Sequence, residues 1–311
     1  MLTADRRSLR RVLAATDFSP AADVAVRHAA ALASRTGAEL RLLHALAAAH
    51  TPVAPPEPAP WPAMDAPDRA RCERQLEERA AVLRARGLAV TVRVASGPAA
   101  SAVCDEAARW VADLVVVGTR GQTGWRHLLL GSTAEQVVEN ATCPVLTVHA
   151  GDEPHERATR RVLVATDFSA TACEAARRVA ALLALTELDT VVLAHAMREP
   201  PPSAVPPYSG SALHALVRSA SMGELAREAD SLRCCQGLDP RVELLDGPPS
   251  LALAEAARKL DADLIVAGAR GVSSLAQLLL GSTAERLMQR AGCPVLVVPP
   301  APFARTRLGA A

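Results

Sequence analysis

The sequence predicts an α/β protein built from two tandem, doubly wound, open parallel sheets of five strands each. Two observations carry this prediction. The motifs of the first half return in the second at an offset of 150 residues, with His44 and His195 at 151 because a one-residue insertion and deletion cancel within each unit, and short apolar runs alternate with helical segments inside each half. "RVLAATDFSP" at Arg11 returns as "RVLVATDFSA" at Arg161, "SGP" at Ser96 as "DGP" at Asp246, and "CPVLTV" at Cys143 as "CPVLVV" at Cys293. A period that long marks a duplicated domain rather than a solenoid. The expected layout is a first unit over 1–150, a polar linker over 151–160 ("GDEPHERATR"), a second unit over 161–300 and a tail over 301–311.

In the first unit, strands are expected at Arg11–Thr16, Glu39–Ala45, Ala89–Ala95, Asp113–Gly118 and Pro144–His149, all short and rich in Val or Leu. Several are apolar on both faces, as strands of a parallel sheet covered on two sides must be. Between them the pattern predicts helices. Pro20–Thr36 begins behind Ser19 as N-cap and stops before Gly37, and Pro67–Arg86, Pro98–Trp110 and Ser132–Asn140 follow. The second unit repeats the order, with strands near Val162, Val191, Val242, Leu264 and Val295. Two proline-rich tracts, His50–Pro67 and Arg198–Gly210, follow the second strand of each unit and predict neither helix nor central strand. They are expected to be surface loops; a place beside a ligand site is the sharper alternative.

The chain has 311 residues, enough for two domains that each bury a core, with half of them apolar and 22% charged. A net charge of +1 offers no attraction for nucleic acid or an acidic membrane, and three Trp, three Phe and one Tyr are too few to stack single-stranded bases. No apolar run reaches the ~20 residues of a membrane helix. The N-terminus shows no signal-peptide core, and seven cysteines lack a C-x₂-C pair. The expected compartment is the cytoplasm, with reduced thiols.

The chemistry concentrates in "VVVGTRGQTGWRHLLLGST" (Val115–Thr133), which returns as "IVAGARGVSSLAQLLLGST" (Ile265–Thr283). Both read G-x₂-G-x₉-G-S: Gly118, Gly121, Gly131 and Ser132, then Gly268, Gly271, Gly281 and Ser282. Gly118 and Gly268 end a strand, where a missing Cβ permits a sharp turn and a ligand against the backbone. Gly131-Ser132-Thr133 and Gly281-Ser282-Thr283 open a helix whose free amides, with the adjacent hydroxyls, can seat phosphate oxygens. Ser-Thr-x-Glu resembles a helix start whose cap can shift by one residue. The pattern is neither a Walker A loop nor a dinucleotide fingerprint. A tight turn plus a helix cap would also account for one copy. Asp17 and Asp167 end the first strand of each unit, where ligands of open α/β sheets gather. Two roles are open to them: hydrogen bonds to a ribose or adenine, or an Asx turn with Ser19 or Ser169. Arg120 and Arg270 in the glycine loops either reach phosphate or are solvated.

Taken together, "VLxATDFS", "LLHA", G-x₂-G-x₉-G-S and "CPVL" resemble the universal stress protein family in its ATP-binding branch, twice over and across nearly the whole chain. The resemblance implies a Rossmann-like sheet of order 3-2-1-4-5 in each unit. It implies ATP, accompanied by Mg²⁺, as ligand of both. Asp17 and Asp167 would meet the adenosine, and the backbone of Ala45 and Ala196 would face adenine. Gly118 and Gly268 would lie by the ribose, while Gly121, Gly131 and Ser132, with Gly271, Gly281 and Ser282, would hold phosphates. Ala15 and Ala165, where the family often has Pro or Val, are harmless departures. The family also suggests pairing through the last strands, here "VLTV" with "VLVV" as an internal pseudo-dimer. It leaves further homodimerisation of chains, and the protein partner, open.

Two functional classes remain. The first is a nucleotide-responsive regulator of the stress response, because the binding constellation comes without a Ser-His-Asp order, paired acids or a metal cluster. The second is a slow ATPase or autokinase that uses Ser132, Thr133, Ser282 or Thr283 as acceptor hydroxyl. His44, His195, His28 and the cysteines read as packed groups, and Trp125 and Tyr208 as loop packing. The regulator is the favoured reading.

Overall fold

The structure is a computed structural model that describes residues 9–46, 66–119, 130–152, 154, 161–183, 188–197, 210–271 and 280–300. The first unit runs β1 (Arg11–Ala15), α1 (Pro20–Thr36), β2 (Glu39–Leu46), α2 (Ala66–Ala85), β3 (Val90–Ser96), α3 (Ala99–Trp110), β4 (Leu114–Gly118), α4 (Ser132–Asn140) and β5 (Val145–Val148). The second runs β6 (Arg161–Ala165), α5 (Ala170–Leu183), β7 (Thr190–Met197), α6 (Gly210–Gln236), β8 (Arg241–Asp246), α7 (Pro249–Leu260), β9 (Leu264–Gly268), α8 (Ser282–Arg290) and β10 (Val295–Val298).

The strands form one ten-stranded sheet of order β3-β2-β1-β4-β5-β10-β9-β6-β7-β8. Each unit therefore has the expected 3-2-1-4-5 order, with parallel pairing inside it. The seam between units is antiparallel, pairing β5 with β10: Val295 lies opposite Thr147, Leu296 opposite Leu146 and Val297 opposite Val145. Leu146 and Leu296 are equivalent positions of the repeat, so a pseudo-twofold axis passes between them. Thr147 Oγ1 donates to Val295 O across the seam (3.1 Å). The "VLTV" and "VLVV" strands thus remove each other's exposed edge.

Two apolar layers cover the sheet. Helices α1, α2, α5 and α6 close one face and α3, α4, α7 and α8 the other. Both layers run through the seam, with Leu146 and Leu296 in the first and Val145 and Val295 in the second. At the outer edge, arginines of α2 occupy carbonyls of β3: Arg69 donates to Val94 O (3.1 Å) and Arg84 to Val90 O (2.9 Å). Ser19 caps α1 as expected, accepting from Ala22 N (3.2 Å), and Gly37 closes it at φ 69°. His28 meets Asp152 O (2.5 Å) and so pins the start of the linker, a structural role for that imidazole.

Some boundaries differ from expectation. Helix α3 starts at Ala99, with Pro98 outside as N-cap. The last residues of the proline-rich tracts are helical, since α2 begins at Ala66 and α6 at Gly210. A proline is tolerated in a helix's first turn, where its missing amide hydrogen is not needed. The remainder of both tracts, with Tyr208, lies outside the described residues.

Candidate functional site

Each unit carries the same knot of bonds at the carboxyl end of its first strand. Thr16 N still bonds to Leu43 O (2.8 Å), and Thr166 N to Ala194 O (2.9 Å). The chain then turns through Asp17 and Phe18 into the helix. Phe18 N donates to Thr16 Oγ1 (3.0 Å), Ser19 N to Asp17 Oδ1 (3.0 Å) and Ala22 N to Ser19 Oγ (3.2 Å). Phe168, Ser169 and Ala172 repeat these bonds at 3.0, 3.1 and 3.2 Å. The Asx turn is therefore real for both aspartates and engages Oδ1. In the second unit the other oxygen, Asp167 Oδ2, lies against Gly271, where an added Cβ would sit 2.2 Å from it.

The turn holds Phe18 and Phe168 at φ 64° and 63°. A bulky side chain there costs about 1–3 kcal/mol and persists only because its surroundings hold it. What holds it is an aromatic stack. The Phe18 ring lies 4.5 Å from the His44 imidazole, and the Phe168 ring 4.4 Å from that of His195. Each imidazole bonds through Nδ1 to the carbonyl one residue past the first strand, Thr16 O or Thr166 O (2.8 Å). A carbonyl only accepts, so Nδ1 carries the hydrogen. The strand-two histidines are packed, hydrogen-bonded groups.

The first glycines answer to packing. A Cβ on Gly118 would lie 2.9 Å from Ala21 C and 3.0 Å from Ala21 O, in the first turn of α1. On Gly268 it would lie 3.0 Å from Thr171 Cγ2 and 3.2 Å from Ala172 N in α5. The third glycines close the loop: Gly131 N donates to Thr119 O and Gly281 N to Ala269 O, both at 2.8 Å. They also serve as N-caps, so Ser132 and Ser282 are the first helical residues and the capping box does not form. Their φ values of −65° and −68° are open to any residue. Neither helix has a side-chain cap, so the first amides of Ser132, Thr133 and Ala134, and of Ser282, Thr283 and Ala284, lack the partner such a cap supplies.

These groups come together at the sheet's carboxyl ends. Ala14 pairs with Val116 and Val164 with Val266, which brings the Asp17 and Asp167 turns beside Gly118 and Gly268. Ala15, Ala165 and Ala196 sit at neighbouring strand ends, and Ala45 pairs with Ala95. Ser132, Thr133 and Ser282 are exposed, and Thr283 is half-buried. Arg270 borders a cleft of about 180 Å³ shared between the units, where Ala269 and Leu280 face Glu139, Asn140 and Thr142 of the first unit. Arg120, Gly121 and Trp125 lie outside the described residues.

The units differ in what lies behind the Asp turn. In the first, Arg79 of α2 sits over the Phe18 ring (4.8 Å) and bonds Asp23 of α1 (3.2 Å). In the second, Glu228 of α6 takes that place and accepts from Thr166 Oγ1 (2.9 Å). Cys173 of α5 stands where Asp23 stood and hydrogen-bonds to Glu228. Burial raises the Glu228 carboxyl above its ordinary range, and Asp167 adds to this, while the bonds from Thr166 and Cys173 oppose it. Burial and the Glu228 charge push the Cys173 thiol up to about 11. The sequence could have shown this difference through the shared buried spacing of Leu76, Ala80 and Leu83 with Leu225, Ala229 and Leu232, which aligns 79 with 228.

The family model described as "Universal stress protein family" matches the chain twice, over residues 8–149 and 158–299. A universal stress protein of Mycobacterium tuberculosis is 30% identical over 299 residues, covering 92% of this chain and 95% of its own length. One of Mycolicibacterium smegmatis is also 30% identical, with 93% and 97% covered. Among solved structures, a universal stress protein from Archaeoglobus fulgidus shares the fold over 94% of this chain and 97% of its own, at TM-score 0.66 and 20% identity.

Proposed function

The chain belongs to the universal stress protein family, and on that premise we propose that each of its two units binds ATP, with Mg²⁺ as escort of the triphosphate, and that the protein acts as a nucleotide-responsive regulator in the stress response. The observation that carries this reading is the pair of helix N-termini at α4 and α8 without a side-chain cap, set beside the Asp17 and Asp167 turns. The donor set fits a polyanion. Backbone amides at the positive end of a helix dipole favour negative charge, and Ser132, Thr133, Ser282 and Thr283 add hydroxyl donors. Arg270 lies in the same loop as Gly271 and supplies a cation there. Asp17 and Asp167 accept from ribose or adenine hydrogens, while the Asx turn holds each carboxylate in place. A regulatory output would travel through the loop that Gly131 and Gly281 tie back to the strand ends.

Calorimetric titration of the full chain with ATP and Mg²⁺ tests this reading. Saturable heat is expected, falling when Gly121 and Gly271 are both replaced by valine in a chain that still folds. No heat and no thermal shift at millimolar ATP would defeat it. Incubation with γ-labelled ATP and peptide mapping checks the regulatory assignment: label on Ser132, Thr133, Ser282 or Thr283 would make the protein an autokinase instead.

A further inference from the structure

The duplication supplies an internal control. Two sites with the same Asp turn, the same Phe–His stack and the same helix cap differ in the charge immediately behind them. On the first unit's side stand Arg79 and Asp23, which pair, together with Arg27 of α1. On the second unit's side stand Glu228, Glu174 and Arg177, with the neutral Cys173 between them. Counted by formal charge, the first set is net positive by one and the second net negative by one when Glu228 is ionised.

Neither 79 nor 228 is a solvated surface charge. Arg79 covers the ring of the strained Phe18, and Glu228 Oε2 takes the Thr166 hydroxyl one residue before Asp167. The second carboxyl oxygen, Glu228 Oε1, is buried without a hydrogen-bond partner. A half-buried carboxyl with one oxygen shut off from any partner is costly when charged.

We propose that the two sites are unequal by design of these positions: the first unit holds the polyanionic nucleotide strongly, and Glu228 makes the second the weaker site until its carboxyl takes up a proton. The proposal rests on the reading that both units take ATP. Arg79 and Glu228 act through the field they place behind the Asp turn, so they are specificity-determining residues rather than ligand contacts. Because the effect is Coulombic, it scales with the charge of the ligand. Adenosine, which has no phosphates, should sense little of it. The groups facing Glu228 are Thr166 and Asp167 from the β6 turn and Cys173 and Arg177 from α5. Of these, Arg177 favours its ionised form, as do the hydrogen bonds from Thr166 and Cys173; Asp167 opposes it.

The test is titration of the intact chain at pH 8 with Mg-ATP and, separately, with adenosine, followed by native mass spectrometry to count bound molecules. Wild type should bind two ATP with affinities that differ by about threefold to tenfold, the scale of a two-charge change screened by water and salt. Glu228→Gln keeps the side-chain shape and should narrow that gap. Glu228→Arg with Cys173→Asp, which installs the first unit's pair, should narrow it further. Adenosine should show no gap in any variant, and melting curves confirm that each variant folds. Two ATP sites of equal affinity overturn the proposal and leave the reading beneath it intact. So does a gap that Glu228→Gln and the double exchange leave unchanged. No binding at all overturns both.

Discussion

Replacing Gly118 by alanine puts a methyl carbon 2.9 Å from the carbonyl carbon of Ala21 and 3.0 Å from its oxygen. Both are backbone atoms of the first turn of α1, so no side chain can rotate away, and either the strand end or the helix must move. Overpacking of this kind costs about 1–3 kcal/mol, and rigid neighbours place Gly118→Ala near the upper end. Gly268→Ala meets a side-chain atom first, Thr171 Cγ2 at 3.0 Å, and its nearest backbone atoms, Ala172 N and Arg270 O, only at 3.2 Å, so it belongs near the lower end. At about 2–4 °C per kcal/mol for a domain of this size, the melting temperature should fall by about 6–12 °C for Gly118→Ala and about 2–4 °C for Gly268→Ala. The assay is thermal or urea unfolding without nucleotide, because a packing defect is present whether or not the site is filled. If Gly118→Ala melts with wild type and loses nucleotide affinity alone, the glycine serves the ligand, and the packing argument is wrong.

Arg41 bonds the fully buried Glu106 at 2.7 Å and lies 4.2 Å over Trp110, while the second unit fills the equivalent places with Val192, Ala256 and Leu260. Arg109 and Arg93 still face the other oxygen of Glu106, so Arg41→Val alone strips only Oε1 of its hydrogen bond and should cost about 1–3 kcal/mol. Adding Glu106→Ala should recover a large part of it in urea unfolding, and a double variant no better than the single would contradict this account. Glu228 holds its proton to higher pH folded than unfolded, so its stabilisation is complete below the unfolded carboxyl value of 4.5 and is lost as pH rises through the folded value. Glu228→Gln should therefore melt above wild type at pH 8, with the difference closing as pH falls; a pH-independent difference would speak against it. Ser19→Ala removes the cap on Ala22 N and should cost about 1 kcal/mol by urea unfolding; a cost near zero would mean that the cap contributes little to stability.

The alternation of strands and helices was legible because it depends on coarse signals, while the strand order and the seam came with the family resemblance that the motifs carry. A second copy of each motif declared the duplication, and doubly apolar runs such as "LVVVG" declared buried parallel strands. What spacing cannot carry is which atoms approach a position from elsewhere in the chain. Gly118 has a packing reason to lack a side chain, since a Cβ there would meet Ala21 of α1, and nothing local to "VVVGTRG" records how near Ala21 comes. The cap moved from Ser132 to Gly131 for a related reason: the bond from Gly131 N to Thr119 O fixes where the helix can begin. Arg79 and Glu228 were hidden by their helices. In "APDRARCERQLEERAAVLRA" a charged residue looks like any other on a solvated face until the fold turns one of them onto the Phe18 ring.

The seam explains why such a difference can exist at all. In a symmetric pair of identical chains, whatever residue stands behind one site stands behind the other, so a substitution that weakens one weakens both. Here the pseudo-twofold axis at Leu146 and Leu296 relates two stretches of one polypeptide, joined by ten continuous strands and two shared apolar layers. The backbone symmetry is retained where packing demands it, in the Asp turn, the Phe–His stack and the third-glycine bond. Position 79 and its counterpart 228 lie outside those constraints, and each can take its own charge. Arg270 and Glu139 of opposite units line one cleft, so the halves also meet through charged side chains. Fusion thus lets the two halves carry different charges behind otherwise matching turns, which two identical halves could not.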